Sequence, residues 1–241
     1  MPLNFGNSEA VVQLTEDIAL RRGFGALLAE GSYRLANRYG HPELHMGAKK
    51  LEFASYDPRA LQGMGLGYAT NSRGGCHIRG EVQDLSLYGV QHWRITMDHN
   101  LGPVDPLRWD DKPVLAADVQ DWFCIIDSCG MCNFMFFLAM NEDHARALIE
   151  AATGIDMGGY KGLMKTGERI FNLERLFNFK AGLSASDDNL PRRMLEEPMP
   201  EGPAKGMVVH LGQMLPEYYR VRGWSPEGVP TQKKLEELGL A

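Results

Sequence analysis

The eight residues Asp127-Ser128-Cys129-Gly130-Met131-Cys132-Asn133-Phe134 bring together a carboxylate, a glycine and two thiols. A carboxylate accepts paired N–H donors from a heterocycle, a glycine lets backbone approach a flat ligand, and a thiolate holds a soft metal centre. That combination makes cofactor binding the leading expectation. With Cys124 included, the thiols follow the spacing C-x4-C-x2-C of plant-type two-iron ferredoxins. Such a site takes its fourth ligand from downstream, whereas the remaining cysteine, Cys76, lies upstream. Cys124 also falls within Trp122-Phe123-Cys124-Ile125-Ile126, which reads as helix interior, where cysteine behaves as a small apolar residue. A thioredoxin-like pairing of Cys129 with Cys132 lacks the βαβ setting that pairing requires.

A second candidate is the turn Asn71-Ser72-Arg73-Gly74-Gly75-Cys76-His77, which can project His77 and two arginines, Arg73 and Arg79, toward one site. Imidazole, with a pKa of about 6.5, suits proton transfer when it faces a pocket. His41, His45, His92, His99, His144 and His210 lack such neighbours and read as surface or capping residues.

The elements that must position these groups are mostly helical, so the expected fold class is mainly α. Val11, Val12, Thr15, Ile18 and Ala19 form one stripe over residues 8–21, with Ser8 as N-cap. Phe24, Leu27, Leu28, Gly31 and Leu35 begin a second helix that stops near Gly40-His41-Pro42. Residues 50–56 suit a strand or extended link, and Asp57-Pro58 an N-cap followed by proline at the first helical position. In the next helix Gly63, Gly65 and Gly67 lower helix propensity and so imply close approach by another backbone or a ligand. Residues 80–112 show no sustained period and read as loop, after which a helix over 114–126 runs into the Asp127 turn.

Further stripes comprise Ala145, Leu148, Ile149 and Ala152, then Leu163, Gly167, Ile170, Phe171, Glu174 and Phe177, then Val208, Leu211, Leu215 and Tyr218. Tyr160, Phe171, Phe177 and Phe179 are expected in the core. Glu168, Arg169, Glu174, Arg175 and Lys180 are expected on a solvated, charged face. The run Tyr218 to Trp224 reads as an amphipathic packing helix, followed by a Gly/Pro-rich connection and a last helix.

A chain of 241 residues with 44% hydrophobic content can bury a substantial core. Its formal charge of −6, with no basic block, argues against nucleic acid as a partner. No apolar run approaches the roughly 20 residues a membrane helix needs. The N-terminus lacks a charged and then hydrophobic leader, which points to the cytoplasm.

In order along the chain, several segments resemble the C-terminal part of the tungsten-containing aldehyde ferredoxin oxidoreductases. They are Arg22-Gly23-Phe24-Gly25, Leu28-Ala29-Glu30-Gly31-Ser32, Tyr56-Asp57-Pro58-Arg59, Gly65-Leu66-Gly67-Tyr68-Ala69-Thr70-Asn71 and Arg73-Gly74-Gly75-Cys76-His77. Asp127-x-x-Gly130-x-Cys132, Gly167-Glu168-Arg169-Ile170, Glu197-Pro198-Met199-Pro200-Glu201-Gly202-Pro203 and Arg222-Gly223-Trp224 continue the series.

The resemblance implies irregular helical domains of the family's C-terminal type, spanning residues 1–241 as one or two intertwined units. It implies oxidation of an aldehyde to a carboxylic acid, with tungstopterin and a [4Fe-4S] cluster as cofactors and ferredoxin as electron acceptor. By the same matching, Asp127 accepts hydrogen bonds from the pterin, Arg73 and Arg79 contact it, and Met131 and Asn133 touch it through backbone. Cys132 ligates iron, and His77 transfers a proton near tungsten.

Met131 stands where the family has leucine, Asn133 where it has a more apolar residue, and Arg79 where lysine is common. Cys129 occupies a position that needs only a small residue. Residues 80–112 match poorly, so the substrate-lining positions are not carried over. The family's N-terminal pterin-binding domain, three of its four cluster cysteines and its active-site glutamate lie outside the resemblance. The chain is therefore expected to be a fragment, a truncated gene product or one half of a split enzyme, inactive without an N-terminal partner. Self-association into a homo-oligomer is compatible with this reading. The alternative is a non-catalytic assembly or binding subunit of the same fold.

Overall fold

The computed structural model describes residues 2–80, 104–134 and 140–241. Among them the chain is mainly α, as the periodicity implies. The helices are α1 (Ser8–Ala19), α2 (Gly23–Leu28), α3 (Ser32–Arg38), α4 (Gln62–Thr70), α5 (Lys112–Ser128) and α6 (Glu142–Thr153). They continue as α7 (Gly159–Lys180), α8 (Arg192–Glu196), α9 (Leu211–Arg222) and α10 (Gln232–Leu238). One antiparallel hairpin joins β1 (Gly47–Ala48) to β2 (Leu51–Glu52).

Helix α5 is buried on nearly every side, so other elements surround it. Leu115, Ala116, Val119, Trp122, Phe123, Cys124 and Ile126 are all buried, and α4, α7 and α9 pack around them. Small residues set how close the helices come. A Cβ on Gly65 of α4 would lie 2.6 Å from Val209 Cγ1, and one on Gly167 of α7 would lie 2.1 Å from the Asp121 carbonyl oxygen of α5. Gly65 thus admits a side chain, and Gly67 lies beside the Gly80 carbonyl. Gly167→Ala should force α7 off α5 and cost about 1–3 kcal/mol, the usual penalty for overpacking. Urea titration of the purified chain measures it, and an unchanged midpoint would refute a rigid backbone contact there.

Several elements depart from the sequence reading. Asn7, not Ser8, caps α1, its side chain accepting from the Ala10 N–H at 3.1 Å. The α1 stripe does not enter the core: Val11, Val12 and Ile18 are exposed, and α2 meets α1 through Gly25 against the Asp17 backbone. The expected single helix after Phe24 splits into α2 and α3 at Gly31, whose φ of +84° ends the first and leads into the second. The hairpin turn is made by Lys49 and Lys50 with φ of 48° and 67°, a region usually left to Asn and Gly, so no turn signal was legible. Residues 81–103, most of the expected loop, together with His92 and His99, lie outside the described residues.

On α7 the buried positions are Leu163, Gly167, Phe171, Asn172 and Arg175, while Phe177 is exposed. The i, i+4 spacing of 163, 167, 171 and 175 defines one face, and Phe177 lies on the far side of it. Arg175, expected in solvent, is a buried cation. Its guanidinium donates from Nη1 to Asp188 Oδ1 at 2.9 Å and from Nη2 to Asp188 Oδ2 at 2.6 Å, and is sandwiched by the Phe179 and Trp224 rings. Lys49 Nζ reaches the same carboxylate at 2.9 Å and the Tyr219 hydroxyl donates to it at 2.7 Å. A second buried arginine, Arg222 at the end of α9, pairs with Asp121 and also donates to the Ala117 carbonyl and to Gln120.

Candidate functional site

The turn after α4 owes its shape to Asn71, which is fully buried. Its Nδ2 donates to the carbonyls of Cys76 and Arg79, both at 2.9 Å, and its Oδ1 accepts from the Arg73 N–H at 2.9 Å. The hairpin is the shelf beneath this turn. Gly75 N–H donates to the Ala48 carbonyl at 3.1 Å, and a Cβ on Gly74 or Gly75 would lie 2.5 Å from a hairpin carbonyl. From the other side, Asn178 of α7 donates to the Ser72 carbonyl at 2.8 Å. The backbone of this turn is therefore fixed before its side chains do anything.

Opposite it, α5 extends further than expected and includes Asp127 in its last turn. Paired bonds end the helix there, from Gly130 N–H to the Asp127 carbonyl and from Met131 N–H to the Ile126 carbonyl, with Gly130 at φ +65°. Gly130 thus serves the helix stop, and the Met131 N–H is committed to the Ile126 carbonyl. Met131 packs its side chain against the core; Asn133 is half-buried and Cys132 exposed.

A carboxylate at a helix C-terminus faces the negative end of the dipole and needs cations. Asp127 receives two. Arg73 donates to Asp127 Oδ2, and Arg79 reaches the same oxygen from Nε at 3.0 Å and Nη2 at 2.9 Å. The Arg79 side chain is 5% exposed, against 45% for Arg73, so one cation is fixed in the wall and the other faces outward. Three side chains from two separate motifs therefore meet at one oxygen. Glu174 joins them, accepting from Arg79 Nη1 at 2.6 Å and from the Ser72 hydroxyl at 2.7 Å. Sequence reasoning missed Asn71, Ser72 and Glu174 as members of this site. For Asn71 a signal existed, since asparagine at a helix end commonly bonds its own following backbone.

His77 follows on the same turn, half-buried, with its ring 5.5 Å from that of Tyr56. Burial pushes its imidazole below the ordinary value of 6.5, which leaves it neutral at pH 7. Cys124 is fully buried, accepts from Arg79 Nη1 at 3.2 Å, and is pushed by that burial up to about 12. It is a wall residue, as its helix-interior setting implies. Among the described residues no three His, Cys, Asp or Glu side chains are grouped to hold a metal.

Comparison with known proteins gives concordant findings. A family model described as aldehyde ferredoxin oxidoreductase, domains 2 and 3, matches residues 1–240. Proteins named tungsten-containing aldehyde ferredoxin oxidoreductase from Pyrococcus furiosus and Thermococcus kodakarensis are 50% and 47% identical. Each match covers 100% of this chain but 38% of the relative, so the chain spans well under half of either protein's length. A solved structure, the active site complex BamBC of benzoyl coenzyme A reductase with 1,5-dienoyl-CoA, superposes with a TM-score of 0.68 at 24% identity. That superposition covers 99% of this chain and 40% of the other, a likeness of fold.

Proposed function

Because the chain belongs to the aldehyde ferredoxin oxidoreductase family and matches its domains 2 and 3, we propose that it is the C-terminal part of a cytoplasmic enzyme oxidising aldehydes to carboxylic acids. In this reading it shares a tungstopterin and a [4Fe-4S] cluster with an N-terminal part and passes electrons to ferredoxin. The observation that carries the proposal is the convergence of Arg73 and Arg79 on Asp127, with an exposed thiol, Cys132, five residues further on. No helix among the described residues is long and apolar enough to cross a membrane.

The donor set fits the cofactors. Guanidinium forks suit anionic oxygens, a carboxylate suits the N–H groups of a pterin, and an exposed cysteine suits iron. Tungstopterin, when bound, supplies the two-electron chemistry. The chain's own residues do the rest. Arg79, buried and held by Asp127 and Glu174, would present its charge to the pterin, and the more exposed Arg73 would close over it. Asp127 accepts from the ring N–H groups, while the Met131 carbonyl and the Asn133 backbone border it. Cys132 contributes one thiolate to iron. His77, neutral because it is half-buried, takes a proton on its unprotonated ring nitrogen as water adds to the aldehyde carbon and later releases it.

The test is to combine the chain with a matching N-terminal part, load tungsten, and follow aldehyde-dependent reduction of an electron acceptor. Activity is expected only in the combined protein. A combined protein that holds cofactor but leaves aldehyde unoxidised would favour a non-catalytic assembly role.

A further inference from the structure

The site contains one charged side chain that no motif singles out, Glu174. It lies on α7, the helix packed most extensively on α5. One of its oxygens, Oε2, accepts both from Arg79 Nη1 at 2.6 Å and from Ser72 Oγ at 2.7 Å. A guanidinium is planar, so two carboxylates on different edges fix its plane as well as its position. Asp127 takes the Nε and Nη2 edge of Arg79, and Glu174 takes Nη1. Arg73 differs: among the described residues its guanidinium pairs with Asp127, and its side chain is 45% exposed.

We infer that Glu174 is the positioning residue of this site: it holds Arg79 in orientation independently of Asp127. Asp127 can then turn its oxygens to a pterin without releasing a buried cation from its last partner. The same Glu174 oxygen ties down Ser72 and with it the origin of Arg73, so one carboxylate registers both arginines. This inference rests on the reading that Arg79 faces tungstopterin.

Two measurements test it. In the isolated chain, nitrogen NMR of the Arg79 guanidinium should show restricted rotation about Nε–Cζ. Restriction should persist in Glu174→Gln, which keeps an acceptor, and weaken in Glu174→Ala, where the Asp127 edge and the Cys124 sulfur remain, with the urea midpoint nearly unchanged because the side chain is 31% exposed. Unaltered rotation in Glu174→Ala overturns the inference whatever the cofactor. In the protein combined with its N-terminal part, tungsten and pterin retained after gel filtration should fall about tenfold for Glu174→Ala, the effect of losing one orienting charge-assisted bond. Glu174→Gln should restore most of it. Retention in Glu174→Ala equal to wild type refutes the positioning role. A wild-type protein that takes up no pterin refutes the functional reading instead, and the rotation measurement still decides the role of Glu174.

Discussion

Asp188→Asn is expected to destabilise the chain by about 3–5 kcal/mol, because it leaves the two buried cations Arg175 and Lys49 without a counter-ion. The Asp188 side chain is 0% exposed and receives the Arg175 fork, Lys49 and the Tyr219 hydroxyl. Burial pushes its carboxyl up, but the Arg175 bonds and the Lys49 charge outweigh burial and hold it below the ordinary 3.8. A depressed folded-state value means that the contribution is complete above the unfolded carboxyl's pKa of about 3.9 and is lost as pH falls through the folded value. Wild-type stability should therefore drop below pH 4 with a slope that Asp188→Asn lacks. Denaturant titrations at pH 7 and across the acid range measure both effects. A loss under about 1 kcal/mol at pH 7 would place the network in the low-value class of solvent-exposed pairs. The consequence reaches the functional site, since Lys49 also donates to the Ala69 carbonyl, two residues before Asn71.

Cys132→Ala should abolish the iron–sulfur absorbance and paramagnetic signal of the combined enzyme, or leave a cluster depleted of iron. The thiol is exposed, five residues after Asp127. Pterin and tungsten content should change far less, because Arg73, Arg79 and Asp127 stay in place, whereas electron transfer to ferredoxin should stop. Cys124→Ala supplies the contrast. It removes a buried side chain against Arg79 and should lower stability by about 1 kcal/mol while leaving the cluster signal intact. A full cluster in Cys132→Ala would remove this cysteine from the ligand set, and a lost cluster in Cys124→Ala would return the C-x4-C-x2-C reading to contention.

Local rules reach far into this chain. Gly130, Gly154 and Gly223 end helices with positive φ, and Asp57 caps a turn begun by Pro58, because such features depend on neighbours within a few residues. Partners far apart in sequence obey no such rule. Glu174 and Arg175 are adjacent on α7 and both read as solvated, yet one orders a candidate site and the other is buried with Asp188. A one-residue step around a helix is about 100°, so adjacent charges face different surroundings.

The exposed stripe of α1 shows the converse, an amphipathic pattern with no described element against it. The sequence by itself determined the helical class, the helix stop near Gly40 and the motifs that identify the family. Only the tertiary structure decided which arginine is fixed and which turns outward, since that depends on where a carboxylate dozens of residues away comes to lie.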